Sequence, residues 1–176
     1  MKQKKTRKLS LLIAVIMIVT MLAGCGSEAQ KEFTAPNGTY TIMMDESWSP
    51  EDMYDDGILA IFSKDETKGI VVIQFPKEGM EDYYSSVDDI KSNVEQTFTM
   101  NTVTDATAPA SIPGMSGISA YSSSVTMEGQ TEECYTVYGE TEYAYYSFIY
   151  MAKNVSDKKI EKFHTVCGSF TEKAAE

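Results

Sequence analysis

Cys134-Tyr135-Thr136-Val137-Tyr138-Gly139-Glu140-Thr141-Glu142-Tyr143-Ala144-Tyr145-Tyr146-Ser147-Phe148-Ile149-Tyr150 is the stretch whose reading decides the fold. Aromatic and β-branched residues dominate it, which suits pleated, half-buried strands. A tight turn around Gly139-Glu140-Thr141 predicts a hairpin, with strands over about 131–139 and 142–152. If that turn sets Tyr138 opposite Tyr143, alternation places Tyr138, Tyr143 and Tyr145 on one face and Tyr135, Tyr146 and Tyr150 on the other. Both faces are then aromatic, so both need cover. Core packing uses both sets, and the other use of one set is to line a ligand or partner groove.

Working outward, a third β-rich run over about 118–127 joins through Glu128-Gly129-Gln130 and makes the hairpin a meander. Before it, 101–117 is rich in Thr, Ala, Pro, Ser and Gly and reads as loop. Ser86 stands three residues before Asp89, ahead of Val87, Ile90, Val94 and Phe98 at helical spacing, which predicts a capped amphipathic helix over about 87–98. Ile58–Ser63 and Ile70–Phe75 flank a polar Lys64–Gly69 turn and form a predicted hairpin. Pro36-Asn37-Gly38 turns another, between Phe33–Ala35 and Thr39–Met44. Trp48 follows as a partly buried anchor, and 49–57 reads as an acidic loop. After the meander, Ile160, Phe163, Cys167 and Phe170 mark the core side of a helix over about 157–167, with Gly168 as its C-terminal cap.

The N-terminal end gives an address. Lys2, Lys4, Lys5, Arg7 and Lys8 precede an apolar run from Leu11 to Ala23, in the order a secretory signal requires. That run is shorter than the roughly 20 residues a helix needs to cross a bilayer core. Leu22-Ala23-Gly24-Cys25 closes it and resembles a bacterial lipobox, in which the Cys25 thiol takes a diacylglyceryl group and becomes the mature N-terminus. Acyl chains on Cys25 would hold the domain to the membrane without embedding it. The predicted organisation is a signal peptide over 1–24, a lipidated cysteine and tether over 25–32, and one globular domain over 33–174.

Charge narrows the partners. Residues 1–24 hold five of the 15 Lys and Arg and none of the 26 Asp and Glu, so the exported part is more acidic than the whole chain's net charge of −11. A field of that sign opposes nucleic acid, and the exported part contains no basic run to offset it. The expected partners are the membrane, through Cys25, and a protein or small molecule that the sequence does not name.

Four constellations bear on chemistry. His164, the only histidine, lies three residues before Cys167, but a Cys–His catalytic pair needs an exposed thiolate and an oriented base, which this spacing alone does not supply. One His and two Cys outside the lipid site make no recognisable zinc set, so neither metal nor cofactor is expected. Asp45, Glu46, Glu51, Asp52, Asp55 and Asp56 crowd one loop without the alternate spacing of a calcium loop, and read as a solvated face, with cation binding left open. The tyrosines of the hairpin are the third constellation, and they serve the core or a groove. Cys134 and Cys167 either bridge, as an oxidising compartment allows, or stay reduced and buried as small hydrophobes. Neither a Gly-x-Ser-x-Gly nucleophile motif nor a phosphate loop is present.

Gly38-Thr39-Tyr40-Thr41-Ile42 leading to Trp48, and Tyr145-Tyr146-Ser147-Phe148 followed by Phe163 to Phe170, together with the element order, resemble the PsbP-like family. Asp45-Glu46-Ser47 departs from it, lacking the Pro and Gly that often precede the Trp. The resemblance implies an α+β fold, an antiparallel sheet flanked by helices on both faces, and relatives that act as extracytoplasmic accessory proteins with no common enzyme activity. The functional expectation is a lipid-anchored, non-enzymatic accessory or binding protein of the bacterial cell envelope, the alternative being a cell-surface enzyme.

Overall fold

The computed structural model describes residues 29–51, 57–127 and 129–173. The signal peptide, Cys25 and the acids Asp52, Asp55 and Asp56 lie outside the described residues. The chain divides into two compact units, 1–30 and 31–176, and all that follows concerns the second, together with the strand that opens at Gln30.

Among the described residues ten strands and two helices follow one another: β1 Gln30–Thr34, β2 Tyr40–Asp45, β3 Ser49–Glu51, β4 Ile58–Phe62, β5 Lys68–Pro76, α1 Val87–Thr97, β6 Asn101–Ala106, β7 Ser116–Met127, β8 Gln130–Glu140, β9 Ala144–Ala152, α2 Asp157–Gly168 and β10 Thr171–Glu172. Seven strands form one sheet in the order β3-β4-β5-β9-β8-β7-β6. Its two halves are successive antiparallel runs, β3 to β5 and β6 to β9, and they join along β5 and β9 in unbroken register from Lys68↔Ala152 to Pro76↔Ala144. The remaining strands make a small sheet in the order β1-β2-β10.

Alternation builds two cores from the large sheet, one on each face. Leu59, Ile61, Val72, Tyr135, Val137, Tyr146, Phe148 and Tyr150 look into the first, which α2 covers with Phe163 and Cys167 and the small sheet with Tyr40, Ile42 and Met44. Phe170, between α2 and β10, stacks edge-on against Tyr146 and Phe148 there. Ala60, Val71, Ile73, Cys134, Tyr138, Tyr145 and Ile149 look into the second, which α1 covers with Ile90 and Val94. The fold is α+β, with the main antiparallel sheet carrying a helix on each face, and Trp48 packs partly buried against the first core.

Local chemistry sets the element ends. Ser86 caps α1, its Oγ accepting from Asp89 N–H at 3.3 Å, while Asp89 returns a carboxylate oxygen to Ser85 N–H at 2.8 Å. Gly38 takes φ +74° in the β1–β2 turn, a left-handed conformation that costs glycine least.

The structure departs from the sequence reading in six places. Residues 101–106 are strand rather than loop, β10 adds a strand to β2 and so creates the second sheet, and 49–51 of the acidic loop pair with β4. Gly168 belongs to α2 without a left-handed φ, and Ser169 closes the helix instead, its Oγ donating to Val166 O at 2.6 Å. The β8–β9 turn falls at 141–143, one step later than expected. It sets Tyr138 opposite Ser147 and leaves Tyr143 exposed at the tip, with the remaining tyrosines on the faces foreseen for them. Residues 30–32 of the expected tether belong to β1.

Candidate functional site

Asp157, Ile160, Glu161 and His164 recur three and four residues apart, so they share one face of α2. Opposite that face stand Asp105 and Ala106 at the end of β6, Thr107 beyond it, Ser122 on β7 and Tyr135 on β8. The two walls border an open cleft of about 490 Å3.

Tyr135 forms the floor and is fully buried. Its ring meets Phe163 edge-on at 5.9 Å between centroids, which fixes the phenol. The hydroxyl oxygen lies 2.5 Å from Thr107 O and 2.6 Å from His164 Nε2. A carbonyl has no proton to give, so the phenol donates to Thr107 O. Its one proton is then used, and His164 Nε2–H must donate to the phenol oxygen. Neutral His164 is therefore the Nε2–H tautomer, with a bare lone pair on Nδ1.

Burial holds His164 below its ordinary range, against an opposing pull from Glu161. Burial also pushes Tyr135 up to about 12, so the phenol keeps its proton at any physiological pH. Among the described residues no Lys or Arg lines the cleft. The two ion pairs among the described residues, Lys77–Glu140 and Lys91–Glu95, lie elsewhere and leave Asp105, Asp157 and Glu161 unneutralised.

The structure does not bring the sequence-predicted thiols together. Both are free and buried, Cys134 in the second core and Cys167 in the first, with the sheet between them. Nor does His164 serve Cys167: its ring bonds Tyr135, and burial raises the Cys167 thiol far from the thiolate range. Among the described residues, no three His, Cys, Asp or Glu side chains stand close enough to hold a metal ion. Asp45 turns its carboxylate onto Ser47 N–H at 2.7 Å, a local turn contact. Tyr135 as partner of His164 was not legible in the sequence, because 29 residues separate them and no local pattern links a strand tyrosine to a helix histidine.

A two-core α+β sandwich of this order has the PsbP-like fold. Its likenesses among solved structures include the cyanobacterial PsbP, CyanoP, of Synechocystis sp. PCC 6803, at 13% identity and TM-score 0.52, with 85% of this chain and 96% of that one covered. The Saccharomyces cerevisiae Ran-binding protein Mog1p matches at 7% identity and TM-score 0.59, covering 83% and 96%. A protein of Bacteroides thetaiotaomicron VPI-5482 matches at 12% identity and TM-score 0.53, covering 81% of this chain; the match spans only 48% of that longer protein. No protein-family model matches the chain, and no curated protein matches its sequence. At such identities the likeness is one of fold, and function has to be argued from the site.

Proposed function

We propose that this chain is a lipid-anchored accessory or binding protein on the extracytoplasmic face of a bacterial cell membrane, and that the α2 cleft holds its ligand or partner. The observation that carries the binding role is the closed proton chain Thr107–Tyr135–His164. It commits the only histidine's Nε2 to a structural phenol, and no cysteine is among the described residues that line the cleft. Catalysis by acid–base or nucleophilic attack needs convergent groups free to exchange protons, whereas recognition needs only fixed ones. The address rests on the basic segment, the apolar run and Leu22-Ala23-Gly24-Cys25 in sequence order.

Membrane fractionation with intact mass of wild type and Cys25→Ser tests the anchor. The wild type should pellet with membranes, carrying acyl mass on Cys25 and lacking residues 1–24, while the Ser variant should be released or remain unprocessed. A Ser variant that pellets with wild-type mass would refute the anchoring. Capture from detergent-solubilised cells, comparing wild type with Asp105→Asn/Glu161→Gln, tests the cleft, since a genuine partner should be lost from the variant.

A further inference from the structure

We propose that the end of the domain where β5 stops and β9 starts, built by residues 76–85 and 140–144, docks an arginine- or lysine-bearing segment of a partner protein, with Tyr83 and Tyr143 as its aromatic anchors. This surface is separate from the α2 cleft, whose lining comes from other residues.

Tyr83 and Tyr143 are the exposed large hydrophobic side chains among the described residues, at 74% and 54%. One exposed aromatic is ordinary, but these two stand on segments bonded to each other. Lys77 N–H donates to Tyr143 O at 2.9 Å, Met80 N–H to Lys77 O at 3.2 Å, and Tyr83 N–H to Met80 O at 2.9 Å. Exposed Pro76, in register with Ala144, and half-buried Met80 extend the apolar character of the two segments.

Both tyrosines are carried on fixed backbone. Tyr84 packs against the second core, its ring edge-on to Phe75 at 5.6 Å, and leaves its neighbour Tyr83 in solvent. Buried Thr141 holds the turn that carries Tyr143, its Oγ1 accepting from Tyr143 N–H at 3.2 Å and from Ala144 N–H at 3.1 Å. An aromatic side chain presented on ordered backbone loses little conformational freedom on binding, and tyrosine is enriched in interfaces.

Charge selects the occupant. Lys77 is the one cation in the two segments, and the fold itself consumes it: Nζ lies 2.7 Å from Glu140 Oε2 and 2.8 Å from Thr141 O, over the Tyr145 ring. Glu78, Glu81, Asp82 and Glu142 are exposed and take no part in the ion pairs among the described residues. A guanidinium or ammonium suits both features, since it stacks on a tyrosine face and is drawn by the carboxylates beside it. Nucleic acid and anionic lipid headgroups meet repulsion there, and a second copy of this chain, with its net charge of −11, brings the same sign. Carboxylates alone attract any cation. The exposed rings are what favour a cation carried on an apolar segment.

Three short peptides of equal length test this, repeating arginine-leucine-glycine, serine-leucine-glycine or glutamate-leucine-glycine, each titrated by fluorescence anisotropy against the full chain in neutral detergent. The arginine peptide should bind roughly tenfold or more tightly than the serine peptide, with the glutamate peptide inert. Tyr83→Ala/Tyr143→Ala should weaken it roughly tenfold, whereas Tyr83→Phe/Tyr143→Phe should retain it, because the ring face receives the cation. Glu81→Gln/Asp82→Asn should also weaken it. Glu46→Gln/Glu66→Gln, which removes two charges from exposed turns elsewhere, should not. All the substituted positions are exposed, so melting temperatures should match wild type, and the Glu81→Gln/Asp82→Asn pair decides the matter should the alanine pair lose stability. Equal binding of the serine peptide would overturn the cationic partner. Equal weakening by the two charge variants, with no effect of Tyr83→Ala/Tyr143→Ala, would show diffuse attraction to an acidic chain and overturn the docking surface. Binding of chitohexaose in place of the arginine peptide would assign the rings to sugar stacking and overturn the protein partner, and no binding of any probe would overturn the proposal outright.

Discussion

Cys134, on β8, packs under α1 in the second core, whereas Cys167, on α2, packs into the first core on the opposite face of the sheet, so the sheet separates the two free thiols. Burial pushes the Cys134 thiol up to about 11, with Glu132 adding to the effect, and raises Cys167 as well. The native protein should therefore resist alkylation at both positions. After denaturation without reductant, both should label, and reductant should change neither the mass nor the melting temperature. A domain that labels only after reduction would show a bridge and refute the two-core placement.

Tyr146 ties the two sheets together. It is fully buried, donates to Glu172 Oε1 of β10 at 2.7 Å and accepts from Gln74 Nε2 of β5 at 2.8 Å, while Thr141 Oγ1 also donates to Glu172 at 2.9 Å. Tyr146→Phe keeps the ring and removes the link. The expected loss is about 2 kcal/mol, as for a hydrogen bond to a charged group, which lowers the melting temperature by roughly 4–8 °C for a domain of this size. A melting temperature within 1 °C of wild type would show that the network contributes little.

Thr136 presents the opposite case. It is 1% exposed on the α1 side of β8, and its hydroxyl has no hydrogen-bond partner. Thr136→Val replaces an unpaired buried oxygen by a methyl group of nearly the same size. The variant should gain about 1 kcal/mol in chemical denaturation. A loss instead would mean that the hydroxyl is satisfied by water inside the sandwich.

His164 makes stability depend on pH in a defined direction. Its folded pKa is depressed from 6.5, so in mild acid the unfolded chain takes up the proton first. Stability is then intact above about 6.5 and falls as pH drops from there toward the folded value. The groups facing the ring are Tyr135, which stays protonated, and Asp157, Glu161 and Asp105 around the cleft; Glu161 moderates the shift. Asp65, held at about 2 by hydrogen bonds from Ser63 and Thr67, titrates well below this window. Urea midpoints between pH 7.5 and 5.5 should fall more steeply in wild type than in His164→Gln. Parallel slopes would place the responsible group elsewhere.

What the sequence made legible follows the strength of its periodicity. Ile90 and Val94 on α1, Phe163 and Cys167 on α2, and the two tyrosine faces of β8 and β9 alternate or recur at spacings that burial imposes. β6 gave no such signal, because as an edge strand it has no fully buried residue, and a left-handed Thr102 with a register shift before Thr104 interrupts it. β10 is two residues long and is defined only by its partner β2, which lies 130 positions earlier at Thr171↔Thr41. The cleft was hidden for the same reason. Its histidine was visible, and the sequence offered Cys167 as a neighbour, but the phenol that fixes its tautomer comes from another element.

The place of β10 also governs the order in which the fold can be finished. A chain synthesised from its N-terminus presents β2 early, yet one side of that strand waits for Thr171 and Glu172 before its last backbone groups are paired. β5 waits similarly for β9, whose nine residues complete its free edge. Until then the first half of the molecule exposes unpaired strand edges, which invite pairing with other chains. Truncation just before Thr171 should thus yield aggregation rather than a slightly loosened monomer, and a holding chaperone would find its binding sites on β2 and β5 until the final turn of the chain arrives.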